Sequence, residues 1–531
     1  MTVTTNFKNG LDLPMWRPNA AAIAADGAGQ SLAWDQRNDL SRTSLIFNLR
    51  SATALDVYNA ILDDWMPLAS PAMSALGAGS TAVFHPTQGP RGTLTTGSTT
   101  TAVNLSTALP AAVGINQLAD CGDSSGFRIR IIGKAGGSSG KINSRNIIGN
   151  TAGTTPTIYV DVALDWTPAS GDGYEITSGR VFMLGSGLLA GGTWKYYDVA
   201  TNSYSANLSN TNLAATIATD SNAIAMSEAH VSYDRMPGTG FVNGGSSYDP
   251  NGTGLNGALT TAKNCILATA SGASSITGSG MPADLQTNEY RNFQVRIVED
   301  TGTPTAVGQR SLIASHTSGA TGVFTVAAWG VTPSTTAKFV IENNDDWILL
   351  RSSGTTSVYT YSISGNAWST ATFNASGSAV GAGVIFEQCF GIVRDPNHNR
   401  LHGHLFCIRG AASSAIDMLD ITAAAAGTWT NTINYGNLSQ TFTTGTCGAY
   451  DPVTMGGKYI HISVNGTQRM ARFNMLAPMM EPATYVRYPV GAATTGQKMA
   501  VNYMIDGASR LALLYQKLQT TSVCFSNLIQ T

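Results

Sequence analysis

Residues 347–368 read WILLRSSGTTSVYTYSISGNAW. Trp347 to Leu350 is a short apolar run of the kind that fills the middle of a sheet, and Ser352-Ser353-Gly354 closes it with turn residues. An alternating segment follows and carries Tyr361. Seven positions on, across Ser364-Gly365-Asn366-Ala367, comes Trp368. That offset across a tight hairpin sets two rings opposite each other on one face of paired strands, a contact worth about 0.5–1 kcal/mol.

The same unit recurs along the chain. Central apolar runs fall at Ser44 to Leu49, Val181 to Leu184, His404 to Ile408, Tyr459 to Val464 and Leu511 to Tyr515. Large residues seven apart recur as Tyr58 and Trp65, Tyr197 and Tyr204, and Phe473 and Met480, while Leu419 and Trp429 repeat the element with a longer loop. A third element precedes each central run and ends in Asp or a stand-in: Leu32 to Asp35, Val83 to His85, Val231 to Asp234, Ile392 to Asp395, Gly448 to Asp451 and Tyr503 to Asp506. These aspartates read as turn caps, with a ring of catalytic or metal-binding carboxylates as the sharper alternative. Helical periodicity is confined to Ala20 to Ala25 and Asp56 to Trp65. Four strands per unit, six units, predict an all-β chain folded as a six-bladed β-propeller. The last unit runs out after Thr521 to Leu528, so residues 4–16 are expected to return as its fourth strand, because an unclosed ring would leave two raw edges.

Two hairpins are far too long for this plan, those from His85 to Val181 and from Asp234 to Trp347. Their contents match each other. Phe127-Arg-Ile-Arg-Ile answers Phe293-Gln-Val-Arg-Ile, Arg145-Asn-Ile-Ile answers Arg310-Ser-Leu-Ile, Gly92-Thr-Leu-Thr-Thr answers Gly257-Ala-Leu-Thr-Thr, and the run ending at Pro168 answers the one ending at Pro333. All four fall in one near-constant register of 165 or 166 residues. The expected organisation is an N-terminal arm (1–30), blade one and the start of blade two (31–86), a first inserted β-module (87–178), propeller (179–236), a second homologous module (237–343), and propeller blades to the end (344–531). Modules growing from equivalent loops of consecutive blades stand side by side on one face.

Composition narrows the function. Only 12% of the 531 residues are charged and the formal net charge is -2, so the clustered Lys and Arg that nucleic acid or an anionic membrane requires are missing. The hydrophobic fraction of 43% is ample for a large core. Cys121, Cys265, Cys389, Cys407, Cys447 and Cys524 lie far apart without a CxxC and read as buried small residues of a protein made in a reducing compartment. The N-terminal stretch lacks the apolar segment of a signal peptide, and no run is long enough for a membrane span.

Few residues invite chemistry. His398, His402, His404 and Cys407 can be read as a zinc or nickel set, though a polar hairpin leading into a buried strand explains them as well. Gly133 to Lys141 imitates a phosphate loop but fails on spacing, and Ile142 stands where a magnesium-binding hydroxyl is needed, so a flexible hairpin tip is expected. The pairs Asp63-Asp64 and Asp345-Asp346 are adjacent, and neighbours on a strand point to opposite faces. No G-x-S-x-G elbow or sialidase Asp box is present. No catalytic, cofactor or metal residue is therefore assigned.

The segments Y-D-x(5)-Y at Tyr197 to Tyr204 and Y-S-x(5)-W at Tyr361 to Trp368 resemble the end of a kelch repeat, without that family's double glycine. The inserted modules, with R-x-I followed by W-x(1-3)-T-P, resemble modules of tailed-bacteriophage tail and neck proteins, a likeness spanning about a third of the chain. The resemblance implies a non-enzymatic virion component made in the host cytoplasm, such as a tail nozzle extending the tail tube. Its partners would be copies of itself in a ring such as a hexamer, other tail and neck proteins, and host surface glycans. The rival class is a receptor- or carbohydrate-binding, or depolymerising, propeller of a tail fibre or secreted lectin.

Overall fold

The computed structural model describes residues 17–26, 29–34, 45–60, 62–74, 76–77, 79–85, 87–110, 113–119, 127–135, 140–185, 193–213, 221–226, 266–281, 285–388, 404–431, 441–451, 459–464, 470–475, 479–482, 498–506, 509–517 and 524–528, with backbone alone at 17–18, 451, 482, 498 and beyond 500. Among them the chain is all-β; its one helical element is the 3-10 turn Pro304–Ala306.

Six four-stranded antiparallel sheets follow one another along the sequence. The first is Ser31–Trp34, Leu45–Ser51, Ala54–Asn59 and Asp64–Pro67; the second is Thr81–His85, Arg180–Leu184, Trp194–Asp198 and Ser203–Tyr204. The third is Ser221–Ala225, Trp347–Ser352, Tyr359–Ser362 and Ala367–Ser369, and the fourth is Ile385–Gln388, His404–Ile408, Ile416–Asp420 and Thr428–Thr430. Cys447–Asp451, Tyr459–Ser463, Met470–Asn474 and Met479–Pro482 form the fifth. In the sixth, Lys498–Asp506, Ser509–Lys517 and Cys524–Leu528 are joined by Arg17–Pro18, with Arg17 opposite Ser526 and Pro18 opposite Phe525. Each first strand lies against the first strand of the next sheet, and Lys498–Asp506 returns to Ser31–Trp34.

The expected aromatic pairs are register partners: Tyr58 faces Trp65, Tyr197 faces Tyr204, Tyr361 faces Trp368, Leu419 faces Trp429 and Phe473 faces Met480. In the first three the ring centroids lie 5.3, 5.2 and 5.1 Å apart. A detail of the turn fixes the spacing. Asp63, Asn202 and Asn366, each two residues before the second ring, adopt φ of 49°, 45° and 45°, a left-handed conformation that Asn and Asp tolerate. Each also accepts the hydroxyl of the tyrosine five residues earlier, at 2.7, 2.9 and 2.7 Å. The helical periodicity of Asp56 to Trp65 is thus overridden by a hairpin, and Ala20 to Ala25 carries no regular element.

Two expected first strands are misplaced. The third sheet begins with Ser221–Ala225 and the fourth with Ile385–Gln388, whereas Val231 to Asp234 and Ile392 to Asp395 lie outside the described residues. For the fourth sheet the marker is a Gly-Ala-Gly segment that the first and second sheets share. Gly27-Ala28-Gly29, Gly77-Ala78-Gly79 and Gly381-Ala382-Gly383 each end two residues before a first strand. Gly29 and Gly383 have φ of 82° and 86°, and a Cβ on either would collide with a backbone carbonyl of the next repeat, that of Gly77 or Thr443. These turns let neighbouring backbones close in.

Residues 4–16 likewise lie outside the described residues; the returning strand that is described is Arg17–Pro18. Removing residues 1–18 bares the edge of Cys524–Leu528, so the truncated protein should aggregate or lose its cooperative melting transition. An unchanged melting curve would show that this pairing contributes nothing to closure.

Both insertions leave the hairpin between the first and second strands of their sheets. Arg91–Thr93, Gly173–Thr177, Arg128–Ile132, Ile142–Asn150, Thr157–Val160 and Ala102–Asn104 form one six-stranded sheet in that order, with a bridge between Leu94 and Leu105 joining its two edge segments. Ile266–Gly272, Lys338–Glu342, Gln294–Glu299, Arg310–His316, Val323–Val326 and Ser275–Ser279 repeat the same order as a closed barrel. Even a bulge is repeated, between Ile147 and Gly149 in one and Ile313 and Ser315 in the other. Core residues correspond, Ile129 to Val295, Ile158 to Phe324 and Ile176 to Ile341. One match fails: strand order makes Ile266–Gly272 the counterpart of Arg91–Thr93, while Gly257 lies outside the described residues.

Candidate functional site

Two constellations stand out, a buried ionic seam and a cavity among the first strands. The seam lies where the modules meet. Ile132 and Ile142 of the first pack on Val298, Val307 and Val340 of the second, Lys141 bridges to Glu299, and Asp300 N–H donates to Gly140 O at 2.7 Å. The hairpin tip expected to be flexible is thus held at its base, residues 136–139 being outside the described set.

Beside it, Glu175 collects three guanidiniums. Arg130 reaches it at 2.8 Å from its own module, Arg310 at 3.0 Å from the other, and Arg91 at 3.9 Å. Burial by itself would raise this carboxyl, but the three cations more than reverse that and hold it well below the usual carboxylate range. Arg310 extends to Asp345 at 3.6 Å, which also takes a hydrogen bond from Gln294 at 2.9 Å. His85, fully buried at the end of its strand, donates through Nε2 to the Asp345 carbonyl at 2.8 Å. Arg296 pairs with Glu342 at 2.8 Å. The duplicated arginines diverge: Arg145, the counterpart of Arg310, stays within its module on Asp165 and the carbonyls of Val162 and Ala163. Each of these carboxylates faces at least one guanidinium, and the seam ties the two modules together.

Among the described residues the earlier candidates do not assemble. Asp346 accepts from Ser362 and from Ser364 N–H, both at 2.6 Å, away from Asp345. Asp63 holds Ala20 N–H at 2.9 Å while Asp64 caps Trp65. His404 lies 3.6 Å from Asp420; Cys407 is buried three positions on, its thiol pushed up by burial, and His398 and His402 lie outside the described residues. Among the described residues no group of three or more His, Cys, Asp or Glu can hold a metal ion, and no helix is long and apolar enough to cross a membrane. Cys407 and Cys447 are free thiols.

The cavity is small, about 60 Å³, and all six first strands line it. Its walls include Ser31, Thr81, Ser221, Thr446 and Met499, and its charged residue is Glu387. Glu387 is 4% exposed, accepts the Tyr450 backbone N–H, and is pushed up to about 8 by burial. Sequence reading missed it because Ile385–Gln388 was not recognised as a first strand; the Gly381-Ala382-Gly383 turn is the signal that finds it.

No family model matches the chain, and no curated protein matches it. Among solved structures, a structural-genomics protein of unknown function from Bacteroides thetaiotaomicron is 9% identical, with 47% of this chain and 66% of that one covered and a TM-score of 0.20. Auxiliary nutrient binding proteins from Bacteroides thetaiotaomicron and Bacteroides ovatus are each 8% identical over 84% of this chain and 96% and 97% of theirs, at TM-scores of 0.22 and 0.23.

Proposed function

We propose that the six sheets are the blades of a closed propeller and that the chain is a non-enzymatic, ring-forming structural protein of a tailed-phage virion, of the tail-nozzle kind. The observation that carries the contact-surface reading is a divergence between the duplicated modules. At outward positions of the first lie Ile148, Tyr159 and Val162, all exposed; the second has Ala314, Thr325 and Ala328 there. Tyr159 lies across from Gly149, where an added Cβ would come within 3.3 Å of the ring. The second module exposes Leu267, Val323 and Val331 instead, so the two copies present apolar side chains at different positions, which supports different neighbours. The virion setting rests on the module's likeness to tail and neck proteins.

The described tryptophans are buried or half-buried, which favours a packing role over a sugar platform. With so few charges, contacts to neighbours draw on area and repetition in a ring more than on ion pairs. Purified particles should keep this protein through a wash at about 1 M salt, where the Debye length falls to about 3 Å. Release by salt, or cleavage of bacterial surface polysaccharide by the isolated chain, would favour the carbohydrate-active alternative.

A further inference from the structure

We propose that the cavity at the convergence of the six first strands is a binding site for a single monovalent cation, held by the carboxylate of Glu387. The proposal is independent of what the protein assembles with. Glu387 takes one backbone N–H, whereas a carboxylate has about four acceptor positions. Among the described lining residues no ammonium, guanidinium or imidazole balances it. A buried carboxylate without a counter-charge is costly, and a cation beside it removes the cost.

The walls suit a hard cation. Hydroxyl oxygens of Ser31, Ser221 and Thr446 line the cavity; Ser221 gives its proton to Gly79 O at 2.5 Å, while Ser31 and Thr446 each accept one backbone N–H, from Ala82 at 2.9 Å and Thr443 at 3.2 Å. Charge selects the valence: one carboxylate exactly offsets a single positive charge, while a divalent ion would leave a buried excess. Size agrees, since about 60 Å³ admits an ion with a few waters. Entry of the cation displaces the carboxyl proton, one proton leaving for each cation taken up.

Burial raises this carboxyl above its unfolded value, so its contribution to stability is full below the unfolded pKa and is lost as pH rises toward about 8. A bound cation restores the loss on the alkaline side. The full chain should therefore melt about 2 °C or more higher in sodium or potassium chloride than in choline chloride at equal ionic strength above pH 8, and show no difference at pH 5. Glu387→Gln should abolish the difference. Thallium(I) soaked into crystals of the unaltered protein should give anomalous density beside Glu387, a readout that survives even if the variant does not fold. Equal melting in the two salts, or a cavity without thallium, would overturn the proposal in favour of a neutral carboxyl among waters.

Discussion

Trp368→Ala should lower the unfolding free energy by about 3–5 kcal/mol, read as a fall in denaturation midpoint. The indole is 2% exposed, lies 5.1 Å from Tyr361 on its own sheet and 5.1 Å from Trp194 on the preceding one, and so joins two sheets as well as two strands. Truncation opens a void between layers that neither side can fill alone. Lys134→Ala, at the half-buried base of the first module's hairpin tip, should change stability by no more than about 0.5 kcal/mol. Equal effects from the two would mean that the ring is not core.

Glu175→Ala should cost a similar amount, about 3–5 kcal/mol, because it removes a buried carboxylate facing Arg130, itself 2% exposed, and loosens Arg310. Asp165→Ala removes the exposed half of the Arg145 pair and should cost less than about 1 kcal/mol. The contrast should persist in high salt, since ions do not screen a pair they cannot reach. The sign with pH is also fixed. A carboxyl depressed in the folded state contributes above its unfolded pKa and loses that contribution as pH falls through the folded one, so the Glu175→Ala penalty should shrink in strong acid. Denaturation midpoints of both variants across pH check it.

The hairpins were legible because their cause is local: a tyrosine, an Asn or Asp five residues on, and a second ring two beyond that fit within one turn. The first strands of the third and fourth sheets were not, because a terminal Asp was taken as their mark; before the fourth, Gly381-Ala382-Gly383 was the available signal, whereas Ser221–Ala225 follows Ala218-Thr219-Asp220 and carries no such mark. The duplication was legible from Phe127 and Phe293 onward, where core positions repeat. It did not reveal that Arg145 and Arg310 reach for different partners, since Glu175 lies 135 residues from Arg310 and only folding brings them together. Gly381-Ala382-Gly383 marks the strand that carries Glu387, but its surroundings were illegible for the same reason, being drawn from six separated strands.

The pairing of Arg17–Pro18 with Cys524–Leu528 joins the two ends of almost the whole chain. Its entropy cost grows only slowly with that distance, but its timing does not. A ribosome adding about 5–20 residues per second separates the two strands by roughly half a minute to two minutes. Five sheets can form in order as they emerge, each from a continuous stretch, while the sixth must wait. During that interval an unfinished edge is exposed, and the early arm of one chain can enter the late sheet of another. Closure is therefore a competition between a tethered strand and its neighbours' strands, and the local concentration of nascent chains decides which partner wins.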